Sequence, residues 1–162
     1  MDETIQRIIQ ADLNDPDQRQ AVLAMVRSFS QAVTGEDLPA EKQDKLINGL
    51  KEHPAALVFI AFGGEDPIGL SVCFLGFSTF MARPLINIHD FYVEAAYRGR
   101  GIGRSMLQFI EGKALALDCC KLTLEVETNN QVALGLYHSF GFAEVEYDAA
   151  AGPVLFRQKV LA

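Results

Sequence analysis

Apolar residues in this chain switch between a spacing of two and a spacing of three to four, and the switches divide it into strands and helices. Thr4 to Ala11, with Ile5, Ile8 and Ile9, is expected as an opening strand ending at Asp12-Leu13-Asn14-Asp15-Pro16. Pro16 and Asp17 suit a helix start, and Val22, Met25, Val26, Phe29 and Val33 recur at helical spacing up to Gly35. A second helix is predicted from Pro39 to Glu52, with Leu46, Ile47 and Leu50 on one face and Pro54 to end it. Leu57 to Phe62, the turn Gly63-Gly64-Glu65-Asp66-Pro67 and Ile68 to Phe77 read as a hairpin. Leu85 to Val93 reads as a further strand.

Glycines at 99, 101 and 103 then open a helix from Gly103 to Leu117, striped by Met106, Leu107, Ile110, Ala114 and Leu117. Lys121 to Val126 alternates as a strand with Leu122, Leu124 and Val126 inward. Asn130 to Phe140 is a short helix closed by Gly141, and Phe142 to Tyr147 with Val154 to Leu161 makes a terminal hairpin. The sum is an α/β (α+β) fold, about four helices flanking a mixed, mostly antiparallel sheet of roughly six to seven strands. With no internal repeat and no low-complexity linker, the 162 residues are expected to form a single domain.

One strand breaks its own alternation. Between Leu85 and Val93 the apolar side chains sit at Ile86 and Ile88, then at Phe91 and Val93, with His89 and Asp90 between. Either a β-bulge shifts the phase, or the strand is buried on both faces and needs no bulge.

Composition narrows the classes. Hydrophobic residues at 49% and charged residues at 22% are those of a globular protein, not of a disordered one. A net charge of -7 repels phosphates, so nucleic-acid binding is not expected, while a cationic small molecule is easier to accommodate. Cys73, Cys119 and Cys120 are odd in number and lack CxxC spacing, which implies neither a disulfide framework nor a metal site. The start Met1-Asp2-Glu3-Thr4 has no secretory pattern, and no apolar run approaches the ~18 residues of a membrane span. A cytoplasmic protein without membrane association is expected.

The candidate chemistry lies in Arg98-Gly99-Arg100-Gly101-Ile102-Gly103-Arg104. Glycine at alternate positions lets successive backbone N–H groups turn toward one anion, and the following helix N-terminus adds its partial positive charge. A dinucleotide fingerprint needs glycine where Arg104 stands, and the only Gly-Lys pair, Gly112-Lys113, is followed by Ala114, so the P-loop fails too. By itself the loop is either an anion site or a tight strand-to-helix connection.

The pattern Arg-Gly-x-Gly-x-Gly after Tyr92-Val93 resembles the acyl-CoA motif of the GNAT N-acetyltransferases. Asn130, Ala133, Tyr137, Gly141 and Phe142 match a second motif of that family, in the right order and separated from the first by a helix and a strand. The close resemblance runs from Ile86 to Phe142; before it, only the order of elements agrees. It implies acetyl-CoA as co-substrate and no metal. Backbone groups at Phe91 and Val93 would hold the pantetheine arm, and the amides from Arg98 to Arg104, including Gly99, Arg100, Gly101, Ile102 and Gly103, the pyrophosphate. Asn130 would contact the pantetheine or the neighbouring strand end, and Tyr137 would sit beside the thioester sulfur.

Direct attack of an amine on a thioester needs a base, an oxyanion donor and an acid for the departing thiolate. Tyr137 is the candidate acid, because a phenol of pKa ~10 keeps its proton at neutral pH. The oxyanion donor would be a backbone N–H near Val93. His89 and Asp90 are the candidates for base and ammonium contact: His89-Asp90-Phe91-Tyr92-Val93 is similar to the Glu-Asp stretch of the family's diamine acetyltransferases, with His89 in place of the glutamate. The expected activity is N-acetylation of a primary amine on a small cationic molecule. A protein or peptide N-acetyltransferase and an inactive acyl-CoA-binding regulatory domain are the alternatives, and the family resemblance suggests a homodimer.

Overall fold

The computed structural model describes residues 7–145 and 148–161. By internal contacts the chain divides into two compact units, Met1–Glu125 and Val126–Ala162.

In the first unit the order is β1 (Arg7–Gln10), α1 (Pro16–Thr34), α2 (Ala40–Glu52), β2 (Ala56–Gly63), β3 (Asp66–Ser78), β4 (Arg83–Val93), a 3-10 turn (Ala95–Tyr97), α3 (Ile102–Ala116) and β5 (Leu122–Leu124). The strands lie in the order β1-β2-β3-β4-β5, with β4 and β5 parallel and every other pair antiparallel. α1 begins as its sequence dictates: Asp15 accepts from the N–H groups of Asp17 and Gln18, Pro16 takes the first helical position, and Gly35 ends the helix at φ 76°. Such a side-chain cap contributes about 1 kcal/mol.

Alternation assigns the two sheet faces. Val58, Ile60 and Phe62 of β2, Leu70 and Val72 of β3 and Tyr92 of β4 pack with Val22, Met25 and Ile47 beneath α1 and α2. Ala61 and Ile68 pack with Ile102 and Met106 of α3 on the opposite face. Gly69 allows that approach, because a Cβ there would stand 2.6 Å from Met106 Sδ and 3.3 Å from the Ala61 Cβ.

The second unit contains α4 (Gln131–Phe140). Asn130 caps it by accepting from the Ala133 N–H at 3.2 Å, and Gly141 ends it at φ 103°.

Four helices and a mixed, mostly antiparallel sheet agree with the sequence pattern, but the strands number five among the described residues rather than six to seven. The expected terminal hairpin accounts for the difference: residues 142–145 and 154–161 carry no strand, and Tyr147 lies outside the described residues. Val154, Leu155, Phe156, Val160 and Leu161 are all exposed. β propensity is realised only where one face is covered, and Arg157-Gln158-Lys159 breaks the alternation of that segment. Of the expected opening strand, Arg7–Gln10 is paired, while residues 4–6 lie outside the described set. Among the described residues no helix is long and apolar enough to cross a membrane.

Candidate active site

The irregularity read from the sequence of β4 is a bulge. Opposite β3, Asp90 pairs with Val72 and Ile88 with Cys73, so His89 is the extra residue. Ile86 and Ile88 before it, and Phe91 and Val93 after it, therefore share the α3 face, which explains why apolar positions change from even to odd. His89 and Asp90 are turned together to the other face. There the His89 ring meets Phe74 edge-on at 5.6 Å, and His53 meets the same Phe74 at 5.1 Å. The Asp90 carboxyl is half-buried; loss of solvent pushes its pKa up against the opposing pull of nearby His89.

The β4–β5 ladder covers only Ile86 to Ile88, paired with Leu122 to Leu124. Beyond it β4 continues to Val93 paired with β3. The Glu94 N–H donates to the Ile68 carbonyl at 2.9 Å, so strand alternation turns the amides of Phe91 and Val93 toward the side that β5 has left. An extended ligand can pair on a strand edge of this kind as another strand does.

The glycine loop follows. Gly99 and Gly101 sit at φ 75° and 80°, conformations that cost other L-residues about 1 kcal/mol or more. Gly101 is the N-cap of α3, with no side-chain cap and no acidic residue in the first turn. Ser105 makes the first intrahelical bond, to the Gly101 carbonyl, and the N–H groups ahead of it are those an anion uses at a helix start. The Arg98 side chain folds back from the loop: its Nε donates to the Val93 carbonyl at 2.9 Å and its guanidinium lies over the Tyr92 ring. Arg100 stacks over Tyr97, its exposed guanidinium beside the loop.

His89, Asp90, Phe91, Val93 and the loop from Arg98 to Arg104 are thus brought together within the first unit. Tyr137 and Asn130 belong to the second. There Tyr137 is buried, its ring packs against Phe142 at 5.7 Å, and burial pushes its phenol up to about 12. Such a phenol keeps its proton throughout the neutral range.

Sequence reading missed a groove of about 510 Å³ on the first unit, floored by Tyr92 and Glu94 and walled by Arg27, Ser28, Gln31 and Asp37. Arg27 and Asp37 pair with each other through three hydrogen bonds, of 3.0 and 3.1 Å from Nε and 2.5 Å from Nη2. Glu94 accepts from the Tyr92 hydroxyl at 3.2 Å and forms no ion pair among the described residues. The groove therefore presents the Glu94 carboxylate, with the Arg98 guanidinium on the neighbouring Tyr92 ring. Its members come from distant parts of the chain, and no local pattern announces them. Among the described residues no cluster of His, Cys, Asp or Glu is placed to hold a metal ion.

The profile of the Acetyltransferase (GNAT) family matches residues 22–142. The chain belongs to this family. Thialysine N-epsilon-acetyltransferase of Caenorhabditis elegans is 23% identical over 130 residues, covering 80% of each protein. Human N-alpha-acetyltransferase 30 is 35% identical over 86 residues, covering 53% of this chain but only 24% of that protein. Among solved structures, an aminoglycoside acetyltransferase from an uncultured soil metagenomic sample, in complex with sisomicin, superposes with a TM-score of 0.78 at 17% identity over 99% of both chains. That likeness is one of fold.

Membership makes this GNAT protein an acetyltransferase, with acetyl-CoA as the implied donor. The uncapped start of α3, the left-handed glycines and the absence of a carboxylate in the first turn have the chemistry its pyrophosphate requires.

Proposed function

We propose that this acetyltransferase acts as a single domain and moves the acetyl group of acetyl-CoA directly to a primary amine on a small cationic acceptor. The bulge at His89 carries the reading. It sets two proton-accepting side chains on one face of β4 and leaves the amide edge of Phe91 and Val93 beside the ended β5 ladder. Groups for a base and for an oxyanion donor thus come from one short stretch of strand.

Acetyl-CoA supplies the thioester carbonyl that the amine attacks. Asp90, whose raised pKa favours proton uptake, and His89 take the proton that the attacking ammonium must lose. The Val93 N–H donates to the carbonyl oxygen as charge builds on it, and the Tyr137 phenol hands its proton to the departing sulfur. The amide loop from Arg98 to Arg104 holds the pyrophosphate, and Arg98 steadies the loop from behind. The Glu94 carboxylate in the groove and the net charge of -7 favour a cationic acceptor.

An acceptor panel followed by release of the CoA thiol tests this. Saturable release with diamines and other cationic amines is expected. Turnover with peptides alone would replace it by the second reading, N-terminal protein acetylation, which the 35% identity to human N-alpha-acetyltransferase 30 favours. Mass spectrometry of the products separates the two.

A further inference from the structure

Ser71 is the one polar side chain in the buried set of the described residues, with no exposed surface at all, in the middle of the apolar run of β3. A hydroxyl in such a place is costly unless it is hydrogen-bonded. Its Oγ donates to the backbone carbonyl of Asp90 at 3.0 Å. That carbonyl belongs to the residue just after the extra position of the bulge, where an inserted residue disturbs the regular exchange of backbone bonds. The Cys73 thiol lies 3.3 Å from the same oxygen, on the same face of β3. Burial pushes that thiol up to about 12, so it remains protonated, and because the single Ser71 hydroxyl hydrogen goes to the Asp90 carbonyl, the thiol is the group left to donate to Ser71. A directed chain results, from Cys73 Sγ–H to Ser71 Oγ–H to the Asp90 carbonyl.

Packing alone does not call for this arrangement, since alanine or valine would suit the apolar surroundings of position 71 better than a hydroxyl does. What the hydroxyl adds is a fixed orientation for one peptide group. Rotation of the Asp90 peptide would move the Asp90 carboxyl and the His89 ring on one side, and the following amide of Phe91 on the other.

We propose that Ser71 is a positioning residue for acetyl transfer: its hydroxyl pins the Asp90 carbonyl and so holds the bulge in the one form that aligns His89 and Asp90 with the Phe91 and Val93 amides. The inference rests on the reading of the bulge as the transfer site. Ser71 touches neither substrate; it acts through the backbone.

Three variants separate this role from simple packing. Ser71→Ala removes the hydroxyl with little change of shape, while Ser71→Thr and Ser71→Val have nearly equal volume and differ in the hydroxyl. Melting temperature and acetyl-CoA affinity by calorimetry establish that each variant is folded and binds donor. Acetyl-CoA dissociation constants within about twofold of the parent are expected, because the pyrophosphate loop lies elsewhere. In Ser71→Ala and Ser71→Val, kcat per donor-binding site should fall about tenfold with the amine KM little changed, and Ser71→Thr should recover most of the loss. Parental kcat in Ser71→Ala, or equal loss in Ser71→Thr and Ser71→Val, overturns the proposal. If the parent protein acetylates no amine, the acceptor reading fails, and the amide NMR resonances of residues 89–93 decide the present question. Shifts in the alanine and valine variants with recovery in the threonine variant support the proposal; an unshifted spectrum in Ser71→Ala refutes it.

Discussion

Arg98 donates from Nε to the carbonyl of Val93 at 2.9 Å, folding the first cation of the glycine loop back onto the end of β4. The bond joins the strand edge to the loop that follows it. Arg98→Ala should therefore loosen two stretches of backbone at once. Acetyl-CoA affinity is expected to drop about tenfold, the size of one charge-assisted hydrogen bond. Calorimetric titration of donor into the variant checks it; unchanged affinity would mean the loop needs no such tie.

Gly101→Ala places a methyl group on a residue at φ 80°. The left-handed conformation should cost about 1–2 kcal/mol of stability. Because the amides in question follow that residue directly, donor affinity should fall in the same variant. Thermal melts with and without acetyl-CoA read both effects, and the ligand-induced rise in Tm should shrink.

Glu94→Gln tests the charge in the groove. The amide keeps the shape and still accepts from Tyr92, while the negative charge is gone. KM for cationic amines should rise about fivefold with kcat nearly constant, in line with ~1 kcal/mol for a partly exposed charge contact. An uncharged amine acceptor should show no such change.

Tyr137→Phe leaves the edge-on packing against Phe142 available and removes only the hydroxyl. Stability should hold while kcat falls about a hundredfold or more, the usual scale for loss of a general acid. Full turnover in this variant would take Tyr137 out of the proton transfer.

Asp90 gives a stability effect whose sign depends on pH. Its carboxyl is pushed above the ordinary 3.8 by burial, so the folded chain binds this proton more tightly than the unfolded one. The resulting stabilisation is complete below the ordinary aspartate value and disappears as pH rises through the raised folded value. At neutral pH the ionised group is a burden, and Asp90→Asn should melt higher than the parent. The advantage should vanish on acidification below the ordinary value, while acetyl transfer is impaired at neutral pH. Denaturant titrations at acid and neutral pH measure the difference.

The core of this architecture was legible because capping residues and apolar spacing agree. Asp15 and Gly35 bound α1 where the sequence places them, and the change of parity from Ile88 to Phe91 left two readings, a bulge or a strand buried on both faces, between which the β3–β4 register decides for the bulge. The glycine loop alone left an anion site and a tight connection equally open, and only the second motif from Asn130 to Phe142 favoured the anion site. Other features were not. The terminal hairpin failed because apolar alternation without a covered face does not make a strand, as the exposed Val154 and Phe156 show. The groove escaped notice because Arg27, Asp37 and Glu94 converge only after α1 has folded across the sheet. Ser71 did leave a trace, a lone hydroxyl within Ile68 to Phe77, but its partner is a backbone carbonyl that no side-chain pattern reveals.

Gly69 extends the argument to a residue that touches none of the proposed ligand groups. The missing methyl at 69 is a notch into which Met106 settles, and Met106 lies about one helical turn beyond Gly101 on the same rigid rod. Filling the notch would lift the rod at its seat and tilt its leading end. The aim of the amides that start α3 is therefore adjusted from beneath, by a hydrogen atom on a neighbouring strand.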